Sequence, residues 1–168
     1  MIKCTDKYAI FYTEWPSNFK ATSFEWEAFG EKNKFFCTEQ AFMWAKAKYF
    51  GDETSASKII LANTSMECKM LGRLVKNYDD AKWNVVRYSF MYDVNMCKYT
   101  QDKELQAKLL DKQFDGKTFV EASPTDRIWG VGLAQNDNRI EDPTNWKGQN
   151  LLGKVITQVR ETIIHDLS

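Results

Sequence analysis

A chain of 168 residues, 43% of them hydrophobic and 14% aromatic, can bury roughly two-thirds of the surface its unfolded form exposes, so its core needs no disulfide or metal staple. Its 23 basic residues balance 23 acidic ones, which excludes a protein that coats nucleic acid or an anionic membrane by net field alone. A single histidine, His165, and four dispersed cysteines without a CxxC pair exclude most zinc and Ser-His-Asp chemistry.

No apolar run approaches the ~18 residues of a membrane span, and MIKCTDKYAI has no apolar stretch behind its lysines. The expectation is one intracellular, cytoplasmic domain over residues 1–168, with reduced cysteines, no membrane association, no metal or cofactor and no obligate protein partner.

In chain order, Tyr8 to Tyr12 is a short extended piece, and WPSNF makes a turn that carries Ser17, Asn18 and Phe19. FEWEAF, Phe24 to Phe29, alternates ahead of Gly30, and these pieces of the first thirty residues together are expected to form a small hairpin. Thr38 is a candidate cap for a helix running through EQAFMWAKAKYF to Gly51. Glu39, Phe42, Met43, Lys46, Tyr49 and Phe50 share one side of that helix. A carboxylate and an ammonium on an otherwise apolar stripe are read two ways: a snorkelling lysine at the edge of the core, or a pair placed in a cleft for chemistry.

Two short helices, Ser55 to Ala62 and Ser65 to Lys76, follow, and the second carries Gly72-Arg73. Glycine within a helix costs about 1 kcal/mol against alanine, so Gly72 marks close packing or ligand approach beside a guanidinium suited to phosphate. Asp79 to Tyr99 is the clearest long helix, with Trp83, Val86, Phe90, Val94 and Cys97 as its apolar stripe. The adjoining stripe of Arg87, Met91 and Lys98 suits either an anion pocket or a solvated edge. Another amphipathic helix, Asp102 to Lys112, an Asp115-Gly116 turn and a strand-like TFVEA complete this part.

The next stretch, EASPTDRIWGVG from Glu121 to Gly132, is too mixed for ordinary core: Glu121 and Asp126 stand within a few residues of Arg127, Trp129 and Gly130. The same run also reads as a Pro-containing loop whose tryptophan plugs the core. AQNDNRIEDPTNWKG is the longest irregular segment. Asn150 then stands as a natural N-cap of a final helix anchored by Leu152, Val155, Ile156, Val159 and Ile163.

In this order, SNF (Ser17–Phe19), TEQAFMWAK (Thr38–Lys46), Gly72-Arg73, Trp83 with Arg87, EASPTDRIWGVGL and WKGQNLLG together resemble the YbiA-like, or NADAR, family over Tyr12 to Ile164. The resemblance implies a mainly α, multihelical YbiA-like domain with a small N-terminal β-hairpin and short strand pieces. It also implies hydrolysis of an N-glycosidic bond between a phosphorylated ribose and a heterocycle amine. The two implied substrate classes are phosphoribosylamino-pyrimidine intermediates of riboflavin biosynthesis and ADP-ribosylated guanine, free or in nucleic acid.

Breaking such a bond builds positive charge on C1′ and negative charge on the leaving nitrogen, so a carboxylate, a proton donor, an aromatic face and a phosphate-binding cation are needed. By resemblance Asp126 or Glu39 serves sugar and water, Trp129 stacks, and Arg73 with Asn150 takes phosphate or ribose hydroxyls. Ser17, Asn18, Phe19, Glu121 and Gly130 complete the binding set. Lys46 either pairs with Glu39 or, with burial lowering its pKa, attacks C1′ to form a Schiff base with the opened sugar. Where the family pattern commonly has EH at the start of this helix, Glu39 is followed by Gln40. The competing function is a pocket that binds ADP-ribose or a nucleotide without cleaving it, although two carboxylates exceed what an anionic ligand requires.

Overall fold

A computed structural model describes residues 1–168. In chain order the elements are β1 (Lys3–Cys4), β2 (Tyr8–Phe11), β3 (Phe24–Ala28), β4 (Glu31–Phe35), α1 (Thr38–Tyr49), α2 (Glu53–Ile60), α3 (Ser65–Arg73), α4 (Asp80–Gln101), α5 (Lys103–Leu109), β5 (Thr118–Glu121) and α6 (Leu151–Leu167). The protein is mainly helical, as the resemblance implies, and its elements fall into two compact units: Met1–Ser17 with Lys103–Ser168, and Asn18–Asp102. No helix is long and apolar enough to cross a membrane.

The Asn18–Asp102 unit is built around α1. A helix that is apolar on one stripe covers one neighbour, but α1 is buried from Thr38 through Ala45 and again at Ala47, so neighbours surround it. The hairpin of this unit is β3–β4, antiparallel from Phe24↔Phe35 to Ala28↔Glu31, so its return arm lies beyond the first thirty residues where a hairpin is expected; that arm, EKNKF, is polar enough to escape an alternation test. Its inward rings, Trp26 and Phe35, meet Trp44 of α1 at centroid separations of 5.8 and 5.5 Å. On α3 a Cβ at Gly72 would overlap the side chain of Met43, so the close-packing reading of that glycine is the correct one.

Two expectations in this unit are corrected. Cys37, not Thr38, caps α1: its Sγ accepts the Gln40 N–H at 3.4 Å, and Thr38 is already the first helical residue. The buried seam of α4 is Trp83, Arg87, Met91, Val94, Asn95, Lys98 and Tyr99, while Val86, Phe90 and Cys97 are only half-buried. The stripe containing the two cations lies deeper than the apolar one beside it.

The other unit carries a three-stranded sheet in the order β1-β2-β5. β1 and β2 are antiparallel, and β2 runs parallel to β5 from Tyr8↔Thr118 to Phe11↔Glu121. The core on this sheet is Ile10, Val120, Ala122, Val131, Leu133 and Ile140, with Tyr8 and Trp146 packed against it. The long polar segment is less irregular than its composition suggests. Two 3-10 turns, Asn138–Glu141 and Pro143–Asn145, are started by Asp137 and Asp142, and Trp146 Nε1 donates to the Ile140 carbonyl at 2.8 Å. Buried Arg160 of α6 donates to the Leu109 and Asp111 carbonyls and to Asp115 Oδ1, which binds the α5 end to the last helix.

Candidate active site

The first turn of α1 gathers several of the expected residues. Glu39 is buried on it, and its backbone N–H donates to the Asn18 carbonyl at 3.0 Å, so the SNF turn and the carboxylate share one anchor. Asn18 is itself buried, and its Oδ1 has no hydrogen-bond partner in the protein. Such an acceptor is costly to leave empty and suits a ligand hydroxyl. Phe19 is partly exposed, with Lys69 Nζ 5.6 Å from its ring centroid and Ser65 Oγ donating to its carbonyl at 2.9 Å.

Gln40 occupies the position of the family histidine and is fully engaged. Its Oε1 accepts the Phe36 N–H at 2.9 Å, and its Nε2 donates to the Ile59 carbonyl at 3.0 Å and the Ile60 carbonyl at 3.3 Å. It joins α1 to the end of β4 and to α2. Beside it, a hydrogen bond with the Cys68 thiol holds the Cys37 thiol below the usual thiol range, and Cys68 is pushed up in return.

Two turns along α1, Lys46 is half-buried. Its Nζ donates to the Gly72 carbonyl at 2.8 Å, at the C-terminal end of α3, and lies 4.5 Å from the centroid of Tyr78. Burial lowers its pKa, and the negative field of Glu39 partly restores it. A lysine so placed reaches its neutral, nucleophilic form at lower pH than a solvated one. Arg73, the next residue on α3, is exposed, its guanidinium 3.9 Å from Met70 Sδ. Asn18, Phe19, Glu39, Lys46 and Arg73 therefore belong to one unit, with Glu39 electrostatically linked to Lys46 and bonded through its backbone to Asn18.

Ser17, Glu121, Asp126, Trp129, Gly130 and Asn150 belong to the other unit. The Ser17 N–H donates to the Glu14 carbonyl at 2.9 Å, which closes the turn ahead of the SNF segment. After β5 the chain makes a loop held by its own acid: Asp126 Oδ1 accepts the N–H groups of Ile128 and Trp129, each at 2.9 Å, and Ser123 Oγ accepts that of Asp126. Asp126 Oδ1 thus shapes the loop, in keeping with the loop reading of EASPTDRIWGVG, while Oδ2 is outside those bonds. Glu121 and Trp129 are half-buried. Gly130 is buried because a Cβ there would come within 2.8 Å of Ser123 Cβ and 3.0 Å of the Asp126 carbonyl.

Asn150 departs from its expected role. It takes a left-handed conformation, φ 54, and makes no side-chain capping bond to α6. Instead its Oδ1 accepts the Glu121 N–H at 3.0 Å and its Nδ2 donates to the Phe119 carbonyl at 2.9 Å. Within the unit, Asn150 is the pin between β5 and the start of α6, and it is completely buried.

Sequence reasoning did not single out Tyr78, Asn84 or the depth of Arg87. Arg87 Nη1 donates to Asn84 Oδ1 at 2.6 Å, and the field of Arg87 reaches the Tyr78 hydroxyl. Arg87 had a signal in its i, i+4 step from Trp83, whereas Tyr78 follows a turn and has no periodic partner. A cleft of about 350 Å³ lined by Glu31, Asn33, Trp44, Glu53, Ala56, Ser57, Ile60 and Leu61 contains none of the expected residues.

A family model described as NADAR domain matches residues 2–164. Among characterised sequences the chain is similar to protein irg-1 of Caenorhabditis elegans, 38% identical over 92% of this chain and 75% of that protein. It is similar to N-glycosidase R617 of Acanthamoeba polyphaga mimivirus, 36% identical over 94% and 96% of the two chains, and to N-glycosidase Npun_R5314 of Nostoc punctiforme, 27% identical over 94% of each. Among solved structures, the NMR structure of the Escherichia coli protein YbiA superposes with a TM-score of 0.73 at 25% identity, covering 99% of this chain and 91% of that one.

Proposed function

The chain belongs to the NADAR domain family, and we propose that it is an N-glycosidase that hydrolyses the C–N bond between a phosphorylated ribose and the amine of a heterocycle. The substrate class we propose is a phosphoribosylamino-pyrimidine or an ADP-ribosylated guanine. The observation that carries this reading is Lys46: a half-buried amine with a lowered pKa, fixed at Nζ by the Gly72 carbonyl and lying in the field of buried Glu39. A binding surface for an anion has no use for that combination, because it weakens the cation and adds a carboxylate. Two relatives named as N-glycosidases support it.

In the proposed reaction neutral Lys46 Nζ attacks C1′, the C1′–N bond breaks, and one Nζ proton passes to the departing heterocycle amine. The bond between C1′ and the ring oxygen then breaks, the ring oxygen takes the second Nζ proton, and a Schiff base joins C1′ to Lys46. Water then adds to C1′ and expels Nζ, so the sum is ribosyl amine plus water giving free sugar and free amine. Glu39 is proposed to stabilise the positive charge at C1′ and to accept the water proton. Asn18 Oδ1 is proposed to accept from a ribose hydroxyl beside Phe19, with the Arg73 guanidinium on phosphate. Asp126, through Oδ2, is the second proposed carboxylate of the reaction. Ser17, Glu121, Trp129 and Gly130 complete the binding set, with Trp129 stacking on the heterocycle, and Asn150 serves by holding β5.

The test incubates purified protein with a phosphoribosylamino-pyrimidine and, separately, with ADP-ribosylated guanosine, following free sugar phosphate or ADP-ribose, with borohydride added during turnover. Release from one substrate and a trapped sugar adduct on Lys46 are expected. Binding of ADP-ribose with release from neither substrate would replace the enzyme by a binding module. Turnover without an adduct, together with an active Lys46→Ala variant, would leave Lys46 as an ion-pair partner of Glu39.

A further inference from the structure

Tyr78 lies in the short connection between α3 and α4 and belongs to none of the expected site sets. Leu74 closes α3, Asn77 turns the chain through a left-handed φ of 65, and Asp79 caps α4. The ring of Tyr78 is held at both ends. Its hydroxyl donates to Asp80 Oδ1 at 2.7 Å, and the ring of Phe50 meets it edge-on at a centroid separation of 5.4 Å. One ring therefore faces Lys46 Nζ at 4.5 Å, while the Gly72 carbonyl holds the same nitrogen at 2.8 Å.

The charged groups around this contact are few. Glu39, on the same helix, is the charge that acts on Lys46, whereas Asp79, Asp80 and Arg87 of α4 and its cap act on Tyr78. From the hairpin and α2, Glu31 and Glu53 both face Lys48 instead. On α3, exposed Arg73 approaches Met70.

We propose that Tyr78 is a positioning residue for Lys46, its ring and the Gly72 carbonyl holding the protonated amine at the end of α3 until deprotonation frees it to react. The inference rests on the reading of Lys46 as nucleophile. An aromatic face attracts an ammonium through its quadrupole and has no such hold on a neutral amine. The contact therefore depends on charge: it orders the resting side chain and loosens once Nζ becomes a nucleophile. It also stabilises the ammonium, so Tyr78 sets the pH at which Lys46 becomes available.

The experiment compares wild type, Tyr78→Phe and Tyr78→Leu, because leucine keeps apolar cover over the amine and removes the ring. The Lys46 titration is read directly by NMR of the 15N-labelled side chain, and the pH–rate profile is recorded alongside. Tyr78→Leu is expected to lower the Lys46 midpoint by about half a pH unit and to move the acid limb of the profile down by the same amount, so that the rate at a pH below the midpoint rises about threefold with little change in KM. Tyr78→Phe, which keeps the ring, is expected to match wild type in the titration. A Tyr78→Leu midpoint and acid limb equal to those of wild type would overturn the proposal, and so would a Tyr78→Phe midpoint shifted as far as that of Tyr78→Leu. The NMR arm judges the contact without any turnover, so an active Lys46→Ala variant would remove the nucleophile reading and leave the contact to be decided by the titration.

Discussion

Replacing Asn150 with alanine separates a structural role from a ligand-binding one more sharply than any other single change. The asparagine is completely buried and spends Oδ1 on the Glu121 N–H and Nδ2 on the Phe119 carbonyl, at 3.0 and 2.9 Å. Loss of both bonds affects two backbone groups of β5, at about 1–3 kcal/mol each. Alanine at φ 54 adds about 1 kcal/mol, since a left-handed backbone disfavours a residue with a Cβ and no local side-chain bond. The total, about 3–7 kcal/mol, is a large part of the stability of a typical domain. For a chain of this size it corresponds to a fall in Tm of roughly 10 °C or more. Thermal unfolding followed by circular dichroism measures it. Asn150→Gly, which tolerates the backbone angle, should recover about 1 kcal/mol of the loss. A variant that melts within about 2 °C of wild type yet no longer hydrolyses substrate would refute the pin and return Asn150 to the substrate.

Three further outcomes are expected. Asp126→Asn keeps an Oδ1 acceptor for the Ile128 and Trp129 N–H groups, so its melting temperature should stay near wild type while hydrolysis is lost; a clear drop in Tm would make the acid a loop residue only. Gln40→His cannot reproduce one accepted and two donated bonds, so chemical denaturation should show a loss of about 1–3 kcal/mol with no gain in rate; faster turnover would show that the family's histidine is chemically competent here. Lys98→Met should stabilise the protein by about 3 kcal/mol at pH 7, because burial brings the ammonium down to about 8 from 10.5. Between those two pH values the unfolded chain holds a proton that the folded one has lost, so wild-type stability rises with pH. The advantage of the methionine variant should therefore shrink across that window, and an advantage that is flat from pH 7 to 10 would sink the assignment.

The helices could be read from the sequence because their signals are local. Thr38 to Tyr49 is closed by Gly51, which has the φ of 73 expected just past a helix end. What escaped was set by distant neighbours. The partner of β5 is β2, at the far end of the chain, so TFVE could be seen as a strand but not placed in a sheet. Asn150 has the composition of a cap, and only the nearby backbone of β5 converts it into a pin. Arg87 and Lys98 look like a wet helix edge in a list of residues, yet they lie in the buried seam of α4. In the candidate site, Glu39 and Lys46 were visible as two charges on an apolar stripe. Their partners, Gly72 and Tyr78, came from a different helix and a turn, and no spacing rule connects those positions.

The parallel pairing of β2 with β5 fixes an order of events during synthesis. Tyr8 through Phe11 emerge early but complete their sheet only when Thr118 through Glu121 have been made, and α6 follows later still. Between them Asn18–Asp102 is continuous in sequence, so it can close its own contacts on a ribosome-bound chain while the amino-terminal strands wait. A nascent chain stalled once Asp102 has cleared the ribosome and before β5 has emerged would thus hold a folded Asn18–Asp102 segment while β1 and β2 still lack β5, and limited proteolysis of such chains would cut ahead of Asn18 first.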